Sequence, residues 1–166
     1  MRLIIIDDQL NVLKNIKSML TDLQGRVEIE LVYCNVQDKS DLLSKNEDNI
    51  YLAKSEDELF DICKNKLKIT EGDRYLIDIT LLQESQIDKE FSEYLSVKLA
   101  MVIDKTEVPN VKIKFYTRPF GISIIDFAEE TKKWGVPLYR PALGGKQGEM
   151  EAKKTFVTKI KEYCNV

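Results

Sequence analysis

Four short runs rich in Ile, Val, Leu and Tyr punctuate the chain: RLIII (2–6), VEIELVY (27–33), RYLIDI (74–79) and VKIKFYT (111–117). A weaker fifth run, VPLYR, follows Gly135. Longer polar or helix-periodic stretches separate them. Alternation of brief apolar runs with helical segments predicts α/β layering around a mostly parallel sheet.

The intervening stretches support that reading. Val12, Ile16, Met19, Leu20 and Leu23 recur at helical spacing between Leu10 and Leu23, and Gly25 stands where a helix C-cap is expected. Ser55 followed by Glu58 forms a capping-box pattern, which starts a second helix near Glu56. Further helices are expected over 89–102, 123–134 and 149–163, the last with Met150, Val157 and Ile160 on one face. The segment from Asn35 to Asn49, NVQDKSDLLSKNEDN, is polar and weakly periodic, and reads as an inserted loop or a poorly packed short helix.

At 166 residues and 43% hydrophobic, the chain suits a single domain over 1–166 that needs no disulfide or metal staple. Its 25 Lys and Arg against 28 Asp and Glu give no general electrostatic reason to bind nucleic acid or anionic lipid. Cys34, Cys63 and Cys164 lack the spacing of a zinc or redox motif and read as free thiols of a reducing, cytoplasmic setting. No apolar run approaches membrane-spanning length, so neither a membrane association nor a signal peptide is expected. With no histidine anywhere in the chain, Ser/His and Cys/His catalysis is excluded. Chemistry must rest on carboxylates and cations.

In an open parallel sheet, side chains at the carboxyl ends of neighbouring strands converge on one crevice. Asp7 and Asp8 close the first run, Asp78 the third, Thr117 the fourth and Arg140 the fifth. If the first, third and fourth strands are adjacent, three carboxylates meet in one small pocket. Such a cluster repels itself unless a cation is bound, and an oxygen-only donor set favours Mg²⁺. A neighbouring carboxylate can then attack phosphorus, with Thr117 donating to one phosphoryl oxygen and Arg140 pairing with another. The glycines and lysine of ALGGKQGE lack Walker spacing and read as an extended loop. Trp134, Phe127, Ile124 and Ile125 read as core and rim.

LIIIDDQ, YLIDI, IKFYT and LYRP, in that order and each followed by a helix, resemble the receiver domain of two-component response regulators. The resemblance implies a doubly wound, flavodoxin-like sheet of five parallel strands in the order 2-1-3-4-5, as in chemotaxis regulators. It implies that Asp7, Asp8 and Asp78 hold Mg²⁺ together with the backbone carbonyl of Thr80. Asp78 accepts phosphate from a sensor histidine kinase or phosphotransfer protein, and Thr117 acts as the switch. Pro141 follows a cis peptide bond in that pattern. The chain has no room for a separate output domain, so the expectation is a stand-alone receiver that signals to a downstream protein through its fourth helix, fifth strand and fifth helix. Its only catalysis would be its own phosphorylation and autodephosphorylation.

Several positions depart from the family pattern. Arg140 replaces its lysine, Arg118 stands where a small residue usually follows the switch threonine, and the switch aromatic falls near Pro137, with Tyr139 one residue before Arg140. Asp8 and Asp78 are further apart than in ordinary receivers, which places an insertion at about 35–49. These departures support an alternative, a degenerate receiver-like interaction module that takes no phosphate. YLIDITLL also has some likeness to the haloacid-dehalogenase nucleophile motif, which would make the chain a phosphatase, but Thr80 occupies the place of that motif's second aspartate.

Overall fold

The structure, a computed structural model, describes residues 1–35, 50–81, 89–118, 123–142 and 147–166, with side chains in the last segment from Met150 onward. Six parallel strands form its sheet: β1 (Arg2–Asp7), β2 (Glu28–Cys34), β3 (Ile50–Ala53), β4 (Arg74–Asp78), β5 (Lys112–Thr117) and β6 (Leu138–Tyr139). Their spatial order is β3-β2-β1-β4-β5-β6. The expected five strands and their 2-1-3-4-5 order survive as β2-β1-β4-β5-β6. The correction is β3, which pairs with β2 from Leu31↔Ile50 to Cys34↔Ala53 and adds a sixth strand at that edge. Positions 36–49 of the expected insertion lie outside the described residues; Asn35 donates its amide to the Ala53 carbonyl at 2.9 Å.

Residue alternation along the strands divides the core in two. Leu3, Ile5, Leu31, Leu76 and Tyr116 face one side, where they pack with Val12, Leu13, Ile16, Phe156 and Ile160. Those helical residues belong to α1 (Leu10–Met19) and α5 (Gln147–Cys164). Ile4, Ile6, Tyr75, Ile77 and Phe115 face the other side, against Leu59, Leu99, Ile103 and Phe127. These come from α2 (Glu56–Asp61), α3 (Leu95–Asp104) and α4 (Ile124–Glu130). Strands buried on both faces explain why the runs read as nearly continuous apolar sequence.

Helix boundaries follow their caps. The Ser55 hydroxyl accepts from the Glu58 amide at 3.1 Å, as the capping pattern predicts, while the Glu58 carboxylate reaches back to the Lys54 amide at 2.6 Å. Beyond Asp61 the chain widens into a π-helical turn over Ile62–Lys66. The first helix stops at Met19, earlier than its apolar spacing predicts, and tightens into a 3₁₀ turn over Thr21–Leu23. That turn keeps Leu20 and Leu23 buried. Likewise the third helical region opens as a 3₁₀ turn at Phe91–Glu93 before α3. No helix among the described residues is long and apolar enough to cross a membrane.

At the amino ends of the strands, Arg2 and Asp73 lock β1 to the turn before β4. Arg2 Nη2 lies 2.6 Å from Asp73 Oδ2, and Asp73 also accepts from the Thr70 amide at 2.8 Å. This leaves the opposite, carboxyl ends of the strands for the acidic residues.

Candidate metal and phosphoryl site

β1 and β4 are direct neighbours, paired from Leu3↔Arg74 to Ile6↔Ile77. One residue further along, Asp7 and Asp78 stand side by side at the carboxyl ends. Alternation with Ile5 and Leu76 puts both on the α1–α5 side of the sheet. Asp8 follows at the mouth of the first crossover. One carboxylate oxygen from each of Asp7, Asp8 and Asp78 lies within 4.8 Å of the others. Asp7 is 1% exposed and Asp78 5% exposed, whereas Asp8 is half-buried. The three predicted carboxylates therefore share one pocket, and only one opens to water.

Asp7 is held on both oxygens. Its Oδ1 accepts from the Gln9 amide at 2.8 Å, and its Oδ2 accepts a short hydrogen bond from the Tyr116 hydroxyl. Asp78 is held more loosely, by the Thr80 amide at 3.3 Å and the Thr80 hydroxyl at 3.2 Å. Burial pushes the Asp7 carboxyl well above the ordinary carboxylate range, the neighbouring Asp78 adds to the shift, and the Tyr116 hydrogen bond opposes it. Burial likewise raises Asp78 to about 7, helped by the charge of Asp8 and opposed by Thr80 and Arg140. A cluster of crowded, desolvated carboxylates with oxygen donors alone suits a hard divalent cation, which would neutralise the charge that burial opposes.

The cationic half is arranged less directly. The Arg140 amide donates to the Thr117 carbonyl at 2.9 Å, which brings β6 alongside the end of β5. Arg140 is 9% exposed, and its charge lowers the Asp78 carboxyl, yet its Nη1 donates to the Pro141 carbonyl at 3.3 Å. The described residues contain no cis peptide, so the Arg140–Pro141 bond is trans where the resemblance implies cis. The Thr117 hydroxyl is buried and has no hydrogen-bond partner among the described residues. Alternation puts Thr117 on the side of Ile113 and Phe115, and the register partner of Asp78 is Tyr116.

Tyr116 is the pocket residue that the sequence reading passed over. Its ring is fully buried, and the charges of Asp7, Asp78 and Arg140 all act on its hydroxyl. In IKFYT it reads as an ordinary strand former. The available signal was the two-residue alternation counted back from Asp78 through a parallel register.

A doubly wound sheet with an acidic crevice at the carboxyl ends of its central strands is the arrangement of a receiver domain, and the chain has that fold. The crystal structure of the response regulator domain of Thermotoga maritima CheB is similar to it over 100% of this chain and 97% of that one, with a TM-score of 0.55 and 14% sequence identity. No protein-family model matches the sequence, and no curated protein matches it.

Proposed function

We propose that this chain is a response-regulator receiver that accepts a phosphoryl group on Asp78 with the help of Mg²⁺ and signals by protein–protein contact. The observation that carries the reading is the trio of Asp7, Asp8 and Asp78 gathered within 4.8 Å at the carboxyl ends of β1 and β4 in a receiver-type fold. Asp7, Asp8, Asp78 and the Thr80 carbonyl would hold the cation, which supplies charge neutralisation in the pocket when bound.

Asp78 is the acceptor because its carboxylate has the weakest restraints of the buried pair. One of its oxygens attacks the phosphorus of a phosphohistidine in line with the P–N bond. That bond breaks, its electron pair returns to the donor imidazole, which takes a proton from solvent, and an acyl phosphate remains on Asp78. Arg140, already close enough to act on Asp78, turns from the Pro141 carbonyl to a phosphoryl oxygen. The unpartnered Thr117 hydroxyl, on the Phe115 side of the sheet, reaches a phosphoryl oxygen only by a turn of the β5 end, the switch movement that the resemblance implies. The phosphate would come from a sensor histidine kinase or a phosphotransfer protein in the cytoplasm. A downstream protein would dock where α4, β6 and α5 present Ile125, Tyr139 and Met150, which are 68%, 47% and 72% exposed.

The test is incubation with Mg²⁺ and acetyl phosphate or beryllium fluoride, followed by intact mass and backbone amide spectra beside an Asp78→Ala control. A base-labile gain of one phosphoryl mass, absent from the control, is the expected result. An unmodified but folded protein would refute the phosphoacceptor and favour the degenerate module, a reading that the Arg140–Pro141 contact supports. Steady turnover of a phosphomonoester would instead favour a phosphatase.

A further inference from the structure

We infer that Tyr116 is a positioning residue of the acidic pocket: its buried phenol fixes Asp7 as a preformed cation ligand and so sets the affinity for Mg²⁺. The inference rests on the reading that this pocket holds a divalent cation. It adds to that reading a residue outside the expected ligand set.

The geometry carries the argument. Tyr116 stands level with Asp78 across the β4–β5 register, on the face that Asp7 and Asp78 share. Its hydroxyl donates to Asp7 Oδ2 and lies 3.5 Å from the Ile6 carbonyl. With Oδ1 held by the Gln9 amide at 2.8 Å, the Asp7 carboxylate cannot turn away from its acidic neighbours. Each carboxylate oxygen has a second lone-pair direction, so both restraints leave room for a cation.

The phenol is itself immobilised. The Tyr116 carbonyl accepts from the Ile79 amide at 2.9 Å, and its ring meets Phe156 of α5 edge-on, with centroids 6.4 Å apart. As a neutral donor it orients Asp7 without cancelling the negative charge that attracts the ion. Partners that orient a metal-binding carboxylate commonly change metal affinity by about 10- to 100-fold when removed. Among the described residues Asp78 is hydrogen-bonded by Thr80, two residues on, and by no side chain of another strand.

The experiment is calorimetric titration of the full chain with MgCl₂, with the Gln9 and Ile79 amide signals followed in parallel. Tyr116→Phe is expected to weaken Mg²⁺ binding by roughly 10-fold. Tyr75→Phe removes a buried tyrosine hydroxyl that has no hydrogen-bond partner among the described residues, on the opposite face of the sheet, and is expected to leave the affinity unchanged. Phe156→Leu keeps the phenol but frees its ring, and is expected to weaken binding in the same direction, which covers the case of a Tyr116→Phe protein that does not fold. Unchanged or tighter binding in Tyr116→Phe, or equal losses in Tyr116→Phe and Tyr75→Phe, would overturn the inference and leave the metal site standing. Absence of Mg²⁺ binding in the unaltered protein would overturn both together.

Discussion

Replacing Asp78 by asparagine should stabilise the protein in alkaline, metal-free solution. The carboxyl is moved from the ordinary 3.8 to about 7 by burial and by the charge of Asp8. A carboxyl raised in the folded state contributes its full share to stability below the unfolded value. That contribution is lost as pH rises through the folded value, because only the unfolded chain ionises it freely. At about 1.4 kcal/mol for each tenfold change in proton affinity, the loss approaches about 4 kcal/mol above pH 7. Because Asp7 shares the repulsion with Asp78, relief at one of them recovers only part of it, about 2 kcal/mol, or roughly 4–8 °C in Tm for a chain of this size. Thermal unfolding of Asp78→Asn and the unaltered protein in EDTA, at pH 8 and at pH 5, reads this directly. The variant should melt higher at pH 8 by more than twice its advantage at pH 5, where the unfolded carboxyl is already ionised but the folded one is not, and Mg²⁺ should narrow the gap at pH 8. An advantage of the same size at both pH values would refute the reasoning, since it would come from packing rather than charge.

Asp73→Ala removes the 1%-exposed partner of Arg2 and also strands the Thr70 amide and hydroxyl, so urea unfolding should show a loss of about 3 kcal/mol. A loss below about 1 kcal/mol would show that the pair adds little beyond its own desolvation cost. Phe127→Ala empties a site between Phe91 and Phe115, at centroid distances of 5.3 and 5.1 Å, and should cost about 3–5 kcal/mol. Because Phe115 also touches Trp134, the emission of this single tryptophan should shift with the same variant, and an unchanged spectrum would indicate that the cavity had collapsed locally.

The central strands were legible because their sequences satisfy two requirements at once: apolar bodies buried on both faces, and charged or hydroxyl residues at one end. Asp7 and Asp78 come together from that pattern once the first and third runs are taken as neighbouring strands, the adjacency that the β1–β4 pairing supplies. β3 escaped because IYLA is four residues long, adjoins a polar segment and pairs on one side only, so it shows neither a long apolar run nor a clear alternation. The early end of α1 was hidden for a different reason: a 3₁₀ turn buries Leu20 and Leu23 much as a continued helix would. Tyr116 was missed because strand propensity accounts for a tyrosine without reference to what its hydroxyl meets. Only the registers of β1 against β4 and of β4 against β5, taken together, reveal that partner. The ALGGKQGE stretch lies partly outside the described residues, and α5 begins at Gln147, two positions before the periodic pattern suggests.

The extra edge strand has a consequence for where motion is permitted. With β3 in place, three strands lie on each side of the β1–β4 boundary, so the acidic residues are built onto the midline of the sheet. Fraying begins at edges and reaches the middle last. Amides of Leu3 to Ile6 and Tyr75 to Ile77 should therefore exchange with solvent only through global unfolding, while those of β3 and β6 exchange through local opening. Electrostatic tension anchored at such a place cannot leak away by loosening nearby backbone, and must be discharged by a ligand, a proton or a covalent change.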